Sequence, residues 1–374
     1  MSVYLDYNAT AKVRPEAAAA VAHALEIGGN PSSVHTAGRA ARAIVETARA
    51  DVGRLIGAKA ESVTFVSGGA EADALAIESA VGADVDRIIV GATEHDVVTE
   101  PVRVSGLPVE LWPVDARGVA DLDWLRARLA IGGRPLVCLM LANNETGVIQ
   151  PVAEAGRLVR EAGGWMHVDA VEAAGKIGID FGALSADTLA LSAHKLGGPQ
   201  GVGALVSGPR ATLTRQLHGG GQERGRRAGT ENTPGIAGFG AAARAVDLDA
   251  AAAQAPWRDA LAAVVARSGA VVLGEGAPRL PQTLCFATAG YSSEVQVMGL
   301  DLAGVMVSAG AACSSGKVKA SRVVEAMGRP DLASCAIRVS GGWATTAADW
   351  TRCGEAWSEI FARHQARRRA MADA

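Results

Sequence analysis

The chain has 374 residues, 49% of them hydrophobic and 20% charged, with a formal net charge of −3. That is enough apolar material for a large core spread over two or three domains, and it leaves no basic footprint for nucleic-acid binding. No apolar run reaches membrane-spanning length, MSVYLDYNAT shows no secretory signal, and five scattered cysteines without a CxxC pair argue against a disulfide framework or a cysteine-rich metal site. A reducing, cytoplasmic setting is the expectation.

PEAAAAVAHALE at 15–26 predicts a helix opened by proline, and 38–56, with apolar positions at helical spacing, predicts a second. GGNPSSVHTAG between them reads as a loop. SVTFVSGGAEADALAIESAV is the first strand–loop–helix unit, and RIIVGATEHDVV is the next strand and its exit. PVELWPVDARGVADLDWLRARL predicts a strand, a loop and a helix, and PLVCLMLANNETG a buried strand running into a polar corner. EAGRLVREAG reads as a helix, GWMHVDAV as a strand, and ADTLALSAHKLGGPQGVGALVSG as two strands around a turn. Short apolar strands alternating with helices predict an α/β domain whose largely parallel sheet is covered on both faces. After about residue 235 the pattern changes. Residues 236–268 are alanine-rich and helical, broken by Pro256; strands at TLCFAT and AIRVS and helices near 321–328 and 347–362 follow. The expected division is a large domain over 14–250 and a smaller α+β domain formed by 1–13 and 251–374. The basic run Arg367–Arg369 reads as a solvated helix face.

Four polar segments fall just after strand ends, where open α/β sheets place their ligands. SGGAEAD at 67–73, including Gly69 and Ala70, puts small residues before a helix; this is a phosphate cradle or a tight structural turn. Asp169 in HVDAVEAAGK either supports a protonated ring nitrogen or caps a helix. Lys195 in LSAHKLGGPQGVG follows Ser192 and His194, and a lysine in a partly dry pocket has an amine free to form a Schiff base. His95 in TEHDVV can stack on a flat cofactor and move protons, or simply bond to backbone. One cofactor uses a phosphate cradle, a ring-nitrogen acid, an aldehyde-binding lysine and a face-stacking histidine together: pyridoxal phosphate. A final segment, SAGAACSSG at 308–316, sets Cys313 among residues of almost no bulk, the pattern of a reactive thiol on a loop. Cys138 and Cys285 lie in apolar strands and read as core, while Cys335 and Cys353 show no metal-ligand spacing.

These segments, with YLDYNAT, GNPSSVHTAG, NNETGVIQP, HGGGQERGRRAGTEN and AIRVS, closely resemble the cysteine desulfurase family, in its NifS/IscS-like branch within the class V aminotransferases. The resemblance implies fold type I of the pyridoxal-phosphate-dependent transferases: a large domain with a mostly parallel, seven-stranded-type sheet flanked by helices, plus a smaller α+β domain carrying the cysteine loop. It implies that Lys195 binds the cofactor aldehyde, Asp169 meets the pyridinium nitrogen, His95 stacks on the ring, and Asn144 lies near ring and substrate. Ser192, His194 and the Gly69–Ala70 turn resemble phosphate ligands, joined by Thr230 from the second subunit of a homodimer. Arg338, assisted by Asn30, resembles the clamp for the substrate carboxylate, and Cys313 the persulfide-bearing nucleophile, which in such enzymes can also ligate an iron–sulfur cluster transiently. No intrinsic metal is implied.

The implied activity is removal of sulfur from L-cysteine, giving L-alanine and a Cys313 persulfide for a sulfur acceptor or iron–sulfur scaffold, with no nucleic acid or membrane as partner. Selenocysteine lyase, another class V aminotransferase and a weakly active regulatory paralogue are the alternatives. Three positions depart from the family pattern. Ala70 replaces a threonine and removes a hydroxyl donor. Glu172 replaces a glutamine facing the cofactor oxygen: ionised it repels that oxygen, protonated it donates to it. The residues after Arg338 read GGW where a leucine, a small residue and a basic or polar residue are usual.

Overall fold

The computed structural model describes residues 2–310 and 320–372. A seven-stranded sheet runs in the order Val63–Val66, Gly203–Ser207, Thr188–Ser192, Trp165–Asp169, Pro135–Cys138, Arg87–Gly91, Val109–Trp112. Gly203–Ser207 is antiparallel to both its neighbours; the other pairings are parallel. Both faces are dry except at the edge strand Val109–Trp112, where Val109 and Leu111 are exposed, and the side chains sort by their period of two. Ile89, Val137, Met166 and Leu189 are fully buried in one layer, each stabilising the fold by about 1.5–3 kcal/mol relative to exposure. Ile88, Val90, Leu136, Cys138 and Trp165 face the opposite layer, which helices Gly69–Val81 and Asp96–Val104 cover. On the strand Trp165–Asp169, this alternation places His167 and Asp169 on the same side as Trp165.

A second, four-stranded antiparallel sheet follows the order Ser308–Ala309, Ala336–Ser340, Thr283–Ala287, Val271–Leu273. It packs with helices Ala255–Arg267 and Ala347–Ala372 around Trp350, Trp357 and Phe286. The first strand, Val3–Tyr4, pairs in parallel with Val305–Met306, so the N-terminus joins the later part of the chain. Arg367–Arg369 lie exposed on the last helix.

The alanine-rich segment differs in detail from its sequence reading. It forms three helices, Thr233–Arg244, Leu248–Ala252 and Ala255–Arg267. Pro256 breaks none of them; it sits in the first turn of the third, where its missing N–H leaves no bond unmade. The breaks fall at 245–247, where the Asp247 side chain caps the next helix, and at 253–254, just before the helix that Pro256 helps open. Short strands at Val271–Leu273 and Val305–Met306 and the helix Ser293–Leu302 have no counterpart in the sequence reading.

One buried ion pair fixes the glycine-rich loop near Thr230 to the large sheet. Arg49, on helix Thr36–Leu55, donates through Nη1 and Nη2 to Glu223 at 2.6 and 2.9 Å, and Phe65 N–H on the edge strand donates to the same carboxylate at 2.9 Å. Glu223 and Arg224 hold this turn with positive φ of 47° and 58°.

Candidate active site

A cleft of about 590 Å3 opens at the carboxyl ends of the parallel strands. Gly69, Ala70, His95, Asn144, Asp169, Glu172, Ser192, His194 and Lys195 all line it, so the fold gathers nine of the thirteen sequence-derived site residues. At its start, the helix Gly69–Val81 has no side-chain cap, leaving first-turn N–H groups to face an anion. The glycine at 69 is required by space: a Cβ there would lie 2.8 Å from Val171 Cγ2.

Lys195 ends a short 3-10 turn that follows the strand Thr188–Ser192. Its Nζ donates to Asn8 O and lies 3.2 Å from Glu172 Oε2. Glu172 Oε1 accepts from Lys176 one helical turn away, and Lys176 also donates to Asn8 Oδ1 at 3.2 Å. Burial pushes the Glu172 carboxyl up, but Lys176 and Lys195 outweigh it and hold the group below the usual carboxylate range. Glu172 is therefore ionised, and of the two states open to it from sequence the proton-donating one is not the one built here. Burial lowers Lys176 to about 8 against the upward pull of Glu172.

Asp169 Oδ1 accepts from Val171 N–H at 2.8 Å. Burial raises Asp169 to about 8, as expected of an acid whose cationic partner is a ligand. His95 caps helix Asp96–Val104, with Nδ1 accepting from Val97 N–H at 3.2 Å. Burial and then Lys195 lower its pKa, so the ring is neutral with its proton on Nε2. The backbone-bonded reading of His95 thus holds, and the ring still lines the cleft. His194 bonds Thr10 Oγ1 at 3.2 Å, and burial draws it down to about 4.

Four sequence-derived residues lie elsewhere. Arg338 is buried and does not line the cleft; Nη1 donates to Asn144 O at 3.0 Å, Nη2 to Asp6 Oδ1 at 2.7 Å, and Nε has no partner among the described residues. Asn30 is exposed and closes its own turn, accepting from Ser32 N–H at 2.9 Å. Thr230 is exposed and lines a neighbouring pocket of about 200 Å3 that shares Ser67 and Gly201 with the main cleft. Cys313, with Lys317 and Lys319 beyond it, lies outside the described residues. The other four cysteines are buried and free.

Several residues escaped the sequence reading. Asn8 donates through its side chain to Asn144 O and to Thr283 Oγ1, each at 3.1 Å, while its Oδ1 accepts from Lys176 and its main-chain carbonyl from Lys195, so one residue ties both amines to the second sheet. Its only signal was its place in YLDYNAT. Glu71 accepts from Ser67 N–H at 2.7 Å and from Arg227 at 2.9 Å, pinning the loop before Thr230 onto the phosphate-cradle helix.

The chain matches the aminotransferase class-V family model over residues 3–352. It is 45% identical to a cysteine desulfurase of Cereibacter sphaeroides, covering 94% of this chain and 93% of that one. It is 38% identical to the cysteine desulfurase IscS of Dictyoglomus turgidum, covering 93% and 91%. The solved NifS-like protein of Rickettsia africae ESF-5 superposes with a TM-score of 0.86 at 30% identity, covering 96% of this chain and 99% of that one. With the strand-end cleft and its lysine, these likenesses lead to one conclusion: the chain belongs to the class V aminotransferases, a pyridoxal-phosphate-dependent family, and within them to the NifS/IscS-like cysteine desulfurases.

Proposed function

We propose that the chain is a cysteine desulfurase that binds pyridoxal phosphate through Lys195, takes sulfur from L-cysteine and holds it as a persulfide on Cys313 for an acceptor protein. The reaction balances without an external oxidant: cysteine and the Cys313 thiol become alanine and the Cys313 persulfide. The observation that carries the reading is Lys195 at the floor of a cleft whose walls hold an uncapped helix start, Asp169 and His95.

The residues present fit the cofactor. First-turn N–H groups, Ser192 and His194 suit a phosphate dianion, and Ala70 leaves that set one hydroxyl short. Asp169, pushed up by burial in the empty protein, regains its charge beside a ring cation. When bound, pyridoxal phosphate supplies an electron sink that loosens bonds around the substrate α-carbon. Lys195 takes up and returns the α-proton. His95, which lines the cleft with Nδ1 engaged by Val97 N–H, serves the substrate thiol through Nε2. Arg338 receives the carboxylate at its unpartnered Nε or in exchange for Asp6, and Asn144 orients it. Thr230 and Asn30, both exposed in the single chain, are read as contributions to the second subunit's site in a homodimer. The division at residues 14–250 against 1–13 with 251–374 is kept as the domain assignment, supported by the pairing of Val3–Tyr4 with Val305–Met306. A location in the cytoplasm is proposed with it; no described helix is long and apolar enough to cross a membrane.

Borohydride reduction of the cofactor-loaded protein should fix the label on the Lys195 peptide, and L-cysteine with a thiol reductant should yield sulfide and alanine in equal amounts. A label on another lysine, or alanine without sulfide, overturns the reading.

A further inference from the structure

Behind Asp169 lies a polar chain that the proposed chemistry does not use. His167, two residues earlier on the same strand face, is fully buried, as is Asp73 on the covering helix Gly69–Val81. His167 Nε2 lies 3.0 Å from Asp73 Oδ1 and Nδ1 lies 3.0 Å from Thr188 Oγ1. Thr188 is the registered neighbour of His167 on the next strand, and its Oγ1 also accepts from Trp165 Nε1 at 3.3 Å. Glu94 completes the wall: it too is buried, its Oε1 accepts from Met140 N–H, and its Oε2 has no partner.

Asp73, Glu94 and Asp169 are thus three carboxyl groups on one dry wall. The groups facing Asp169 are these two acids, His167 on its own strand, and Glu172, Lys195 and His95 across the cleft. The cations of the cleft are already engaged by Glu172. An ionised carboxylate needs several donors to offset its lost hydration, yet Asp73 has one possible partner, His167, and its Oδ2 has none. A neutral acid needs only to donate its proton once, and His167 Nε2 is placed to accept it.

We propose that Asp73 is a positioning residue held as a neutral carboxylic acid, donating to His167 Nε2 while His167 Nδ1–H donates to Thr188, so that Asp169 alone carries the charge offered to the cofactor's ring nitrogen. The inference rests on the pyridoxal-phosphate reading for its purpose, but not for its test. Burial also pushes Asp73 and Glu94 well above the usual carboxylate range and draws His167 down to about 4, in keeping with a neutral pair. Asparagine at 73 reproduces the neutral donor.

The test is the tautomer of His167 in full-length protein labelled with 15N-histidine at pH 7, with and without cofactor, the resonance identified by its loss in His167→Gln. A protonated Nδ1 with a bare Nε2 is expected in both; a protonated Nε2 overturns the proposal. The cofactor-free arm answers even if no pyridoxal phosphate binds, so failure of the functional reading is separable. Infrared difference spectra should lose a protonated-carboxyl band in Asp73→Asn. The pH midpoint of the bound cofactor's absorbance should move by less than about half a unit in that variant, whereas a shift of about one unit or more marks an ionised Asp73 and refutes the assignment. If Asp73→Asn does not fold, the wild-type tautomer decides.

Discussion

Glu172 is shared between two lysines: its Oε2 lies 3.2 Å from Lys195 and its Oε1 is bonded to Lys176. One buried carboxylate therefore balances two amines beside the cleft, which explains how an acid is tolerated where relatives of this pattern carry a neutral amide. The same ion pair gives Glu172 a role in setting charge on the lysine side of the site.

Glu172→Gln keeps an oxygen for the amines but removes their counter-charge. The pH midpoint of the bound cofactor's absorbance is expected to fall by about one unit, since the cationic form loses a neighbour of opposite sign. A titration over about pH 6 to 9 reads this, and overlapping curves for the two proteins would leave Glu172 as a packing residue.

Cys313→Ser changes none of the described residues that line the cleft. Such a variant should bind L-cysteine with the same change in cofactor absorbance on mixing as wild type, form no persulfide and lose nearly all sulfide production. Wild-type protein given cysteine without reductant should gain about 32 Da on the Cys313 peptide, the mass of one sulfur atom. Full alanine and sulfide output from the serine variant would move the chemistry to direct elimination.

Asp169 makes the empty protein's stability fall with pH. Its folded-state value of about 8 lies above the unfolded value of about 3.9, so the folded state holds its proton more tightly, and the stabilisation is lost as pH rises through that window. Cofactor-free wild type should therefore lose thermal stability between about pH 4 and 8 more steeply than cofactor-free Asp169→Asn. Parallel melting curves across that range would contradict the assignment.

Arg49→Met strands Glu223 in a dry site. Loss of one partner of a buried pair costs about 3–5 kcal/mol, so the denaturation midpoint should drop sharply. The double change Arg49→Met with Glu223→Leu should recover much of the loss. A single variant as stable as wild type would show that the pair is not what fastens the loop.

The large sheet was readable because its strands are short, apolar and separated by turn residues, and because Lys195, Asp169, His95 and Ser192 each sit within a few residues of a strand end. Glycine at 69 and the uncapped helix start made the anion cradle visible for the same reason. Pro256 marked one break, since a helix ends at Ala252 and the next opens at Ala255, while the earlier break capped by Asp247 carries no proline and went unread. The engagement of Arg338 by Asp6, and the Asp73–His167 pair, join residues distant in sequence whose types are unremarkable singly. Thr230 came from a dimer pattern, which one chain cannot display, and Asn30, expected beside Arg338, is exposed and bonded within its own turn.

The bond from Arg338 to Asp6 spans 332 positions of the chain. During synthesis the segment carrying Asp6 and Asn8 emerges well before Arg338 and Ser340 and must wait for the 332 positions that separate each pair. Closing so long a loop is slow, and its reward comes late. The large sheet can assemble meanwhile, but Lys195 and Lys176 lack a settled Asn8 until the end. The setting of the cleft lysine is thus coupled to arrival of the strand Ala336–Ser340, and a product truncated before it would fold its sheet without acquiring a finished amine site.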